Sequence, residues 1–404
     1  MKAQTVVPFL MHWLLWAVWL NANTDRLNLN CNNNPINNNG RARGMALAAL
    51  DTMKTYTKLY DKICSRDNLH LAFLKARKRK SRRKDVREFE ENLDKNLQRL
   101  NQELITETYR PQRLTTFILH DPKTRKISKS DFRDRVVHHA LCNLIEPIFE
   151  KRFIFDSYAN RKGKGTSAAL RRVHQFKRKV SKNGTKVDKK FNNNYVRGYV
   201  LKADIQHYFD TVNHQILSGI LSKKIRDQKV MHLIGIILAN YKTSQLGKGM
   251  PLGNLTSQFF ANVYLNELDY FVKHSLKAKY YLRYVDDFII FHERREVLKE
   301  YKEQINNFLR EKLELELHPN KSKIIPLAKG LGYVGYRIFY YFIILRKRNI
   351  KKINSKLQEM GELYKNGLIS KETINSTMNG WFGYMNGSNT YTLQQNILKH
   401  IKIL

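Results

Sequence analysis

A chain of 404 residues with 42% hydrophobic content is long enough for two or three packed units around a real core. Its 73 Lys and Arg against 35 Asp and Glu give a formal net charge of +38, which does not fit an ordinary cytosolic enzyme and predicts a polyanionic partner, most simply nucleic acid. No apolar run reaches the roughly 18–20 residues of a spanning helix, and three distant cysteines (Cys31, Cys64, Cys142) without a C-x-x-C argue against a disulfide framework and a zinc site.

Residues 1–52 look foreign to the rest of the chain. The Trp-rich segment Pro8–Leu20 is too short to span a membrane and lacks the small-residue cleavage site of a signal peptide, so the expected location is the cytoplasm, away from membranes. Ten of the nineteen residues from Asn21 to Asn39 are Asn, a composition that buries little and competes for its own backbone hydrogen bonds. Disorder or loose structure is expected there, with Met53 as an alternative start.

From Lys54 to Lys84 the pattern is helical and increasingly basic, and the run Lys75–Lys84 is expected to face solvent or phosphate. Val86, Phe89, Leu93, Leu97, Leu100 and Leu104 recur at spacings of three and four and predict one amphipathic helix. Phe117–Leu119 reads as a strand, and Pro122, Lys123 and Arg125 then place cations in a turn, where Arg offers a planar fork and Lys a point charge to phosphate. Phe132–Ile148 is a predicted helix whose His138-His139 pair has no metal-ligand spacing. Ser157–Thr166 is a basic, Gly-containing turn before another helix; backbone N–H groups there can cradle a phosphate, although the P-loop pattern is absent. The Lys- and Asn-rich residues 180–194 read as an exposed loop.

Val200–Ile205 is a short apolar strand ending in an acid, Asp204, and an acid leaving a buried strand must be paired or bound to metal. Tyr208-Phe209-Asp210 follow, then a helix from Asn213. Phe209 lies where a bulky ring can sit beneath an incoming sugar. Gly249–Asn262 is a Gly/Pro turn running into a helix, with Thr256 or Ser257 the expected cap.

Tyr280–Phe291 holds two adjacent acids, Asp286 and Asp287, between two apolar, aromatic and β-branched runs, the pattern of a hairpin with carboxylates at its tip. Carboxylate oxygens are the ligands Mg²⁺ prefers, and two such ions about 4 Å apart are the standard device for phosphoryl transfer. A helix is expected from there to about Glu314. Leu315–Lys323 places lysines near the cleft, Gly330–Phe339 is a Gly-spaced hairpin, and Lys351–Leu404 is helical, basic and aromatic, suited to gripping a duplex by shape.

Taken in order, Phe132–Val137, Ser157–Gly165, Val200–Asp210, Gly249–Gln258, Tyr284–Asp287, Leu315–Lys321 and Gly332–Tyr336 resemble the ordered blocks of a reverse transcriptase, over about Met53 to Leu404. The resemblance implies an α+β right-hand polymerase fold with fingers (53–198), palm (199–329) and a primer-grip hairpin with helical thumb (330–404). It implies RNA-directed DNA polymerase activity with two Mg²⁺ ions, for which Mn²⁺ can substitute. Asp204, Asp286 and Asp287 would be the palm carboxylates, Asp204 and Asp286 the surer metal ligands, with Ile205 beside them in the metal site. Lys123 and Arg125 would contact the incoming nucleotide, Phe209 would act as steric gate, Leu252, Gly253 and Gln258 would line the nucleotide pocket, and Lys321 would be the candidate general acid. The implied partners are an RNA template, a DNA or RNA primer and dNTPs, with room for a basic accessory protein.

The fourth block reads Leu252-Gly253-Asn254-Leu255-Thr256-Ser257-Gln258 instead of the Gln-Gly-x-x-x-Ser-Pro expected of most bacterial relatives, and looks like the adenine-mutagenic enzyme of diversity-generating retroelements. The Asn tract, with its adenine-rich codons, fits read-through from a template repeat. The alternatives are a reverse transcriptase of another bacterial lineage (group II intron, retron or phage defence) and a non-catalytic RNA-binding scaffold.

Overall fold

The computed structural model describes residues 54–120, 124–186 and 195–403. The expectations for 1–52, for Met53, for Lys123 and for most of the 180–194 loop therefore lie outside the described residues. No helix among the described residues is long and apolar enough to cross a membrane.

The N-terminal part is helical, over Tyr60–Cys64, Arg66–Arg77, Lys84–Glu91 and Leu93–Ile105. Its apolar stripe is buried as the periodicity predicts, with Val86, Leu97, Leu100 and Leu104 in the core. The single helix expected there is two, because Asn92 leaves helical geometry at φ −123°, ψ 43°. The basic run is also less free than its composition suggests. Arg77 pairs with Glu90 and Arg83 with Asp85, and burial, then Arg135 and Arg83, hold the Lys80 ammonium down at about 8.

A two-stranded hairpin follows, β1 (Thr115–Leu119) and β2 (Arg125–Lys129), with Leu119 opposite Arg125. The helix Phe132–Glu150 packs on the N-terminal helices, capped by the Asp131 side chain. The central sheet is β3 (Tyr199–Asp204), β4 (Tyr280–Tyr284), β5 (Asp287–His292) and β6 (Lys323–Pro326), in the order β4-β5-β3-β6 with every pair antiparallel. Helices Leu255–Tyr270 and Arg295–Leu313 lie in the two crossovers, so the unit is a split βαβ in which β5 is inserted between β3 and β4.

Both faces of this sheet are covered. Leu201, Ala203, Tyr281, Phe288 and Ile290 join the larger core under the helices, while Val200, Leu282, Ile289 and Phe291 join a second core. That second core includes β7 (Leu331–Tyr333), β8 (Tyr336–Ile338) and the C-terminal helices. The Gly-spaced hairpin gains a third strand, β9 (Ile343–Leu345), and the basic C-terminal stretch forms three helices, Lys347–Lys365, Lys371–Met385 and Tyr391–Ile403.

Candidate active site

The sheet topology decides where the acids go. β3 and β4 run toward one end of the sheet and β5 starts from it, so Asp204, the β4–β5 turn and Asp287 all arrive at the same edge. Asp204 stands directly opposite Asp287 in register. Cross-strand partners share a face, so these two carboxyls point the same way although one lies more than eighty positions along the chain. The same face carries Lys202, whose Nζ is 3.8 Å from Asp287 Oδ1.

Asp286 sits in the two-residue turn with Val285. Val285 adopts φ +56°, a left-handed conformation that β-branched residues rarely take. The turn is held from below by Arg283, which is fully buried. Its Nη1 donates to the Val285 carbonyl at 2.9 Å and to Asn262 Oδ1 at 3.1 Å. Its Nε and Nη2 form a bidentate pair with Asp269 at 2.8 and 2.6 Å, and Tyr281 Oη donates to the same carboxylate at 2.6 Å. Burial disfavours the guanidinium charge, but Asp269 outweighs it, and Arg283 is held even more firmly protonated than usual. The backbone of this strand is clamped as well: Arg283 N donates to Asp156 O, and Tyr158 N to Arg283 O. Tyr158 N in the Ser157–Thr166 turn is thereby committed to the strand and is not open to a phosphate.

The segment after helix Arg295–Leu313 zips along the far side of β3. Ile205 bridges Leu317, Gln206 N donates to Glu316 O, and His318 N donates to Asp204 O at 2.7 Å. This brings Lys321 onto Asp204, Nζ to Oδ2, and Ser322 against the Asp204 backbone. Tyr333, on the next hairpin, reaches the Asp287 carbonyl at 3.5 Å.

Electrostatics follow from this crowding. Burial raises the Asp286 carboxyl, Asp204 adds to the rise, and Arg125 and Lys321 oppose it. Asp287 is pushed up to about 7 by burial, with Lys202 opposing and Asp204 and Asp286 reinforcing. Arg125, at the start of β2, is thus within electrostatic reach of the acids.

Around the acids, Phe209 is half-buried on the short helix Tyr208–Thr211, edge-on to Tyr208. Its carbonyl accepts from Met250 N at 2.6 Å, which ties the Gly249–Gly253 turn to it. Leu252 O accepts from Ser128 N at 3.1 Å, docking that turn on β2. Gly253 has φ +114°, and a Cβ there would stand 3.0 Å from Ile127 Cγ2. Gln258 lies half-buried in the first turn of helix Leu255–Tyr270. The cap of that helix differs from expectation: Asn254 is the N-cap residue, while Thr256 and Ser257 are buried inside the helix. The Asn254 side chain accepts from Ser130 N across to the β1–β2 hairpin.

Among the described residues, no three Asp, Glu, His or Cys side chains already form a metal cage. Lys321 and Lys202 supply the positive charge beside Asp204 and Asp287. The donors available are carboxylate oxygens, the hard ligands that suit Mg²⁺, and burial together with the crowding of acids raises the proton affinity of Asp286 and Asp287. A divalent ion fits those donors.

Sequence reasoning placed the acids and Lys321 but missed Arg283, Asp269, Lys202 and Tyr333. The signal for the first was present: an Arg inside an apolar strand demands a buried partner.

Residues 120–338 match the family model described as reverse transcriptase (RNA-dependent DNA polymerase). The antiparallel sheets with flanking helices fit a polymerase fold, of α+β class. The chain belongs to the reverse transcriptase family. It is 26% identical to protein YkfC of Escherichia coli (strain K12), covering 63% of this chain and 72% of that protein. It is 23% identical to the group II intron-encoded protein LtrA of Lactococcus lactis subsp. cremoris, covering 70% of this chain and 54% of that protein, so it spans about half the length of that relative. Among solved structures it is similar to apo telomerase from Candida tropicalis, with a TM-score of 0.45 at 12% identity over 72% of this chain and 57% of that one.

Proposed function

We propose that the protein is an RNA-directed DNA polymerase that adds dNTPs to a DNA or RNA primer on an RNA template, in the cytoplasm, with Asp204, Asp286 and Asp287 as its metal-binding carboxylates. The observation that carries this reading is the register pairing of Asp204 with Asp287 beside the Asp286 turn, in a chain of the reverse transcriptase family. Fingers would span 53–198, palm 199–329 and thumb 330–404.

The three carboxylates, with the Ile205 backbone next to them, would hold Mg²⁺ or Mn²⁺. When bound, such ions favour the ionised primer 3′-hydroxyl and offset the triphosphate charge. The rest is positioning by the chain itself. Arg125 and Lys123 would contact the triphosphate. The half-buried Phe209 ring lies beneath the sugar and disfavours a 2′-hydroxyl. Leu252, Gly253 and Gln258 shape the pocket on the template side. Lys321, whose Nζ meets Asp204 Oδ2, would act as general acid to the departing pyrophosphate.

Within the family, the Leu252–Gln258 sequence supports an error-prone enzyme of a diversity-generating retroelement, because relaxed geometry at the templating base lowers discrimination there. The group II intron relatives favour the second reading, an enzyme of the intron lineage. Primer extension on an RNA template tests both levels. Asp204→Ala and Asp286→Ala are expected to abolish incorporation while RNA binding persists; wild-type extension by either variant refutes the assignment. Substitutions concentrated at template adenines support the retroelement reading, and uniform fidelity supports the intron lineage.

A further inference from the structure

Behind Asp204, on the side away from the β4–β5 turn, the helix Arg295–Leu313 and the segment Leu317–Ile324 enclose an open groove of about 710 Å³. Arg295, Lys299, Lys302, Arg310 and Lys323 line it against one acid, Glu303. The four helical cations recur along one face over about 22 Å of helix length. Arg310 lies 3.3 Å from Glu316; Arg295, Lys299, Lys302 and Lys323 have no ion-pair partner among the described residues. His318 also lines the groove, with its Nδ1 buried and without a hydrogen-bond partner.

We propose that this groove is a second nucleic-acid site, one that holds the phosphate backbone of a folded, helical RNA segment outside the polymerase cleft. The lining decides the ligand class. Protein-binding patches are enriched in aromatics and depleted in Lys, whereas this groove is Lys-rich and, of the residues lining it, His318 alone carries an aromatic ring. Single strands are gripped by stacking bases on aromatic rings, and the groove offers no such platform. What it offers is a row of unpaired cations at helical spacing, which matches recognition of a helical RNA by shape and backbone charge. The backbone link from His318 N to Asp204 O places this site one strand away from the acids, so RNA held here stays close to the cleft while leaving it free. The inference rests on the reading that the chain works on RNA.

The test uses the full chain stalled on a chain-terminated primer, RNA template and matching dNTP, so that the cleft is filled, with a labelled RNA hairpin added as second ligand. The variant carries Arg295→Gln, Lys299→Gln and Lys302→Gln together, all on the helix and away from the sheet face that carries the acids. The wild type is expected to bind the hairpin with a salt-dependent affinity. The variant should bind it about tenfold or more weakly near 150 mM salt, with the slope of log K against log salt reduced by about two. Extension of a short primer–template should be unchanged. Unaltered hairpin affinity and slope overturn the proposal, also where the variant loses binding to poly-glutamate, which would mark a surface for acidic protein. Absence of extension by the wild type refutes the polymerase reading instead, and the hairpin measurement on the chain alone still decides the groove.

Discussion

Asp269→Ala is expected to destabilise the protein far more than an average substitution. Asp269 and Arg283 are both fully buried, and the carboxylate accepts from Arg283 Nε, Arg283 Nη2 and Tyr281 Oη. Removing it leaves a guanidinium in the core with only the Asn262 amide oxygen and the Val285 carbonyl for company. Breaking a buried pair by deleting one partner costs about 3–5 kcal/mol. The abandoned Tyr281 hydroxyl adds a further penalty of about 1 kcal/mol or more, although the two are not additive. Urea unfolding followed by circular dichroism measures the sum. The double variant Arg283→Met/Asp269→Leu removes both charges and should recover most of the loss. It should still incorporate nucleotides more slowly, because the Val285 carbonyl has lost the donor that fixes the Asp286 turn. A loss below about 1 kcal/mol for Asp269→Ala, or a double variant as unstable as the single one, refutes this account of the turn.

Two other outcomes follow from burial and backbone geometry. Burial, with His139 and Arg135 adding, lowers His138 to about 3. The unfolded ring takes up a proton near pH 6.5 and the folded one does not, so the stability that neutral His138 contributes is present above pH 6.5. It is lost as pH falls toward 3, at up to about 1.4 kcal/mol per pH unit. The stability difference between wild type and His138→Gln should therefore shift against the wild type between pH 7 and pH 5, and a pH-independent difference refutes the assignment. At Gly253, a Cβ meets both an unfavourable φ of +114° and Ile127 at 3.0 Å. Gly253→Ala should cost about 1–3 kcal/mol and raise the KM for dNTP more than it lowers kcat, since the β1–β2 hairpin docks on this turn; unchanged stability and KM contradict that.

How much was legible depends on whether the governing signal was local. Short apolar, aromatic and β-branched runs marked β3, β4 and β5, and the spacing of Val86, Leu97, Leu100 and Leu104 marked the buried helix face. The Asp-Asp pair between two strands announced a turn there, although Val285 and Asp286 form it and Asp287 opens β5. What sequence could not supply was register: that Asp204 faces Asp287 follows from β5 inserting between β3 and β4, a non-local choice. The helix break at Asn92 and the cap at Asn254 were missed because apolar periodicity continues across the first, and Thr256 and Ser257 mimic the second. The third strand of the C-terminal sheet, Ile343–Leu345, is three residues long, below what alternation can reveal.

The most direct test of the central claim is to count ions by electron paramagnetic resonance, with Mn²⁺ titrated into the full chain bound to RNA template, chain-terminated primer and dNTP. Three acids meeting in one pocket predict two bound ions in the wild type and the loss of at least one in both Asp204→Asn and Asp286→Asn, with folding and RNA binding retained. Equal Mn²⁺ stoichiometry and affinity in the wild type and both variants would contradict it.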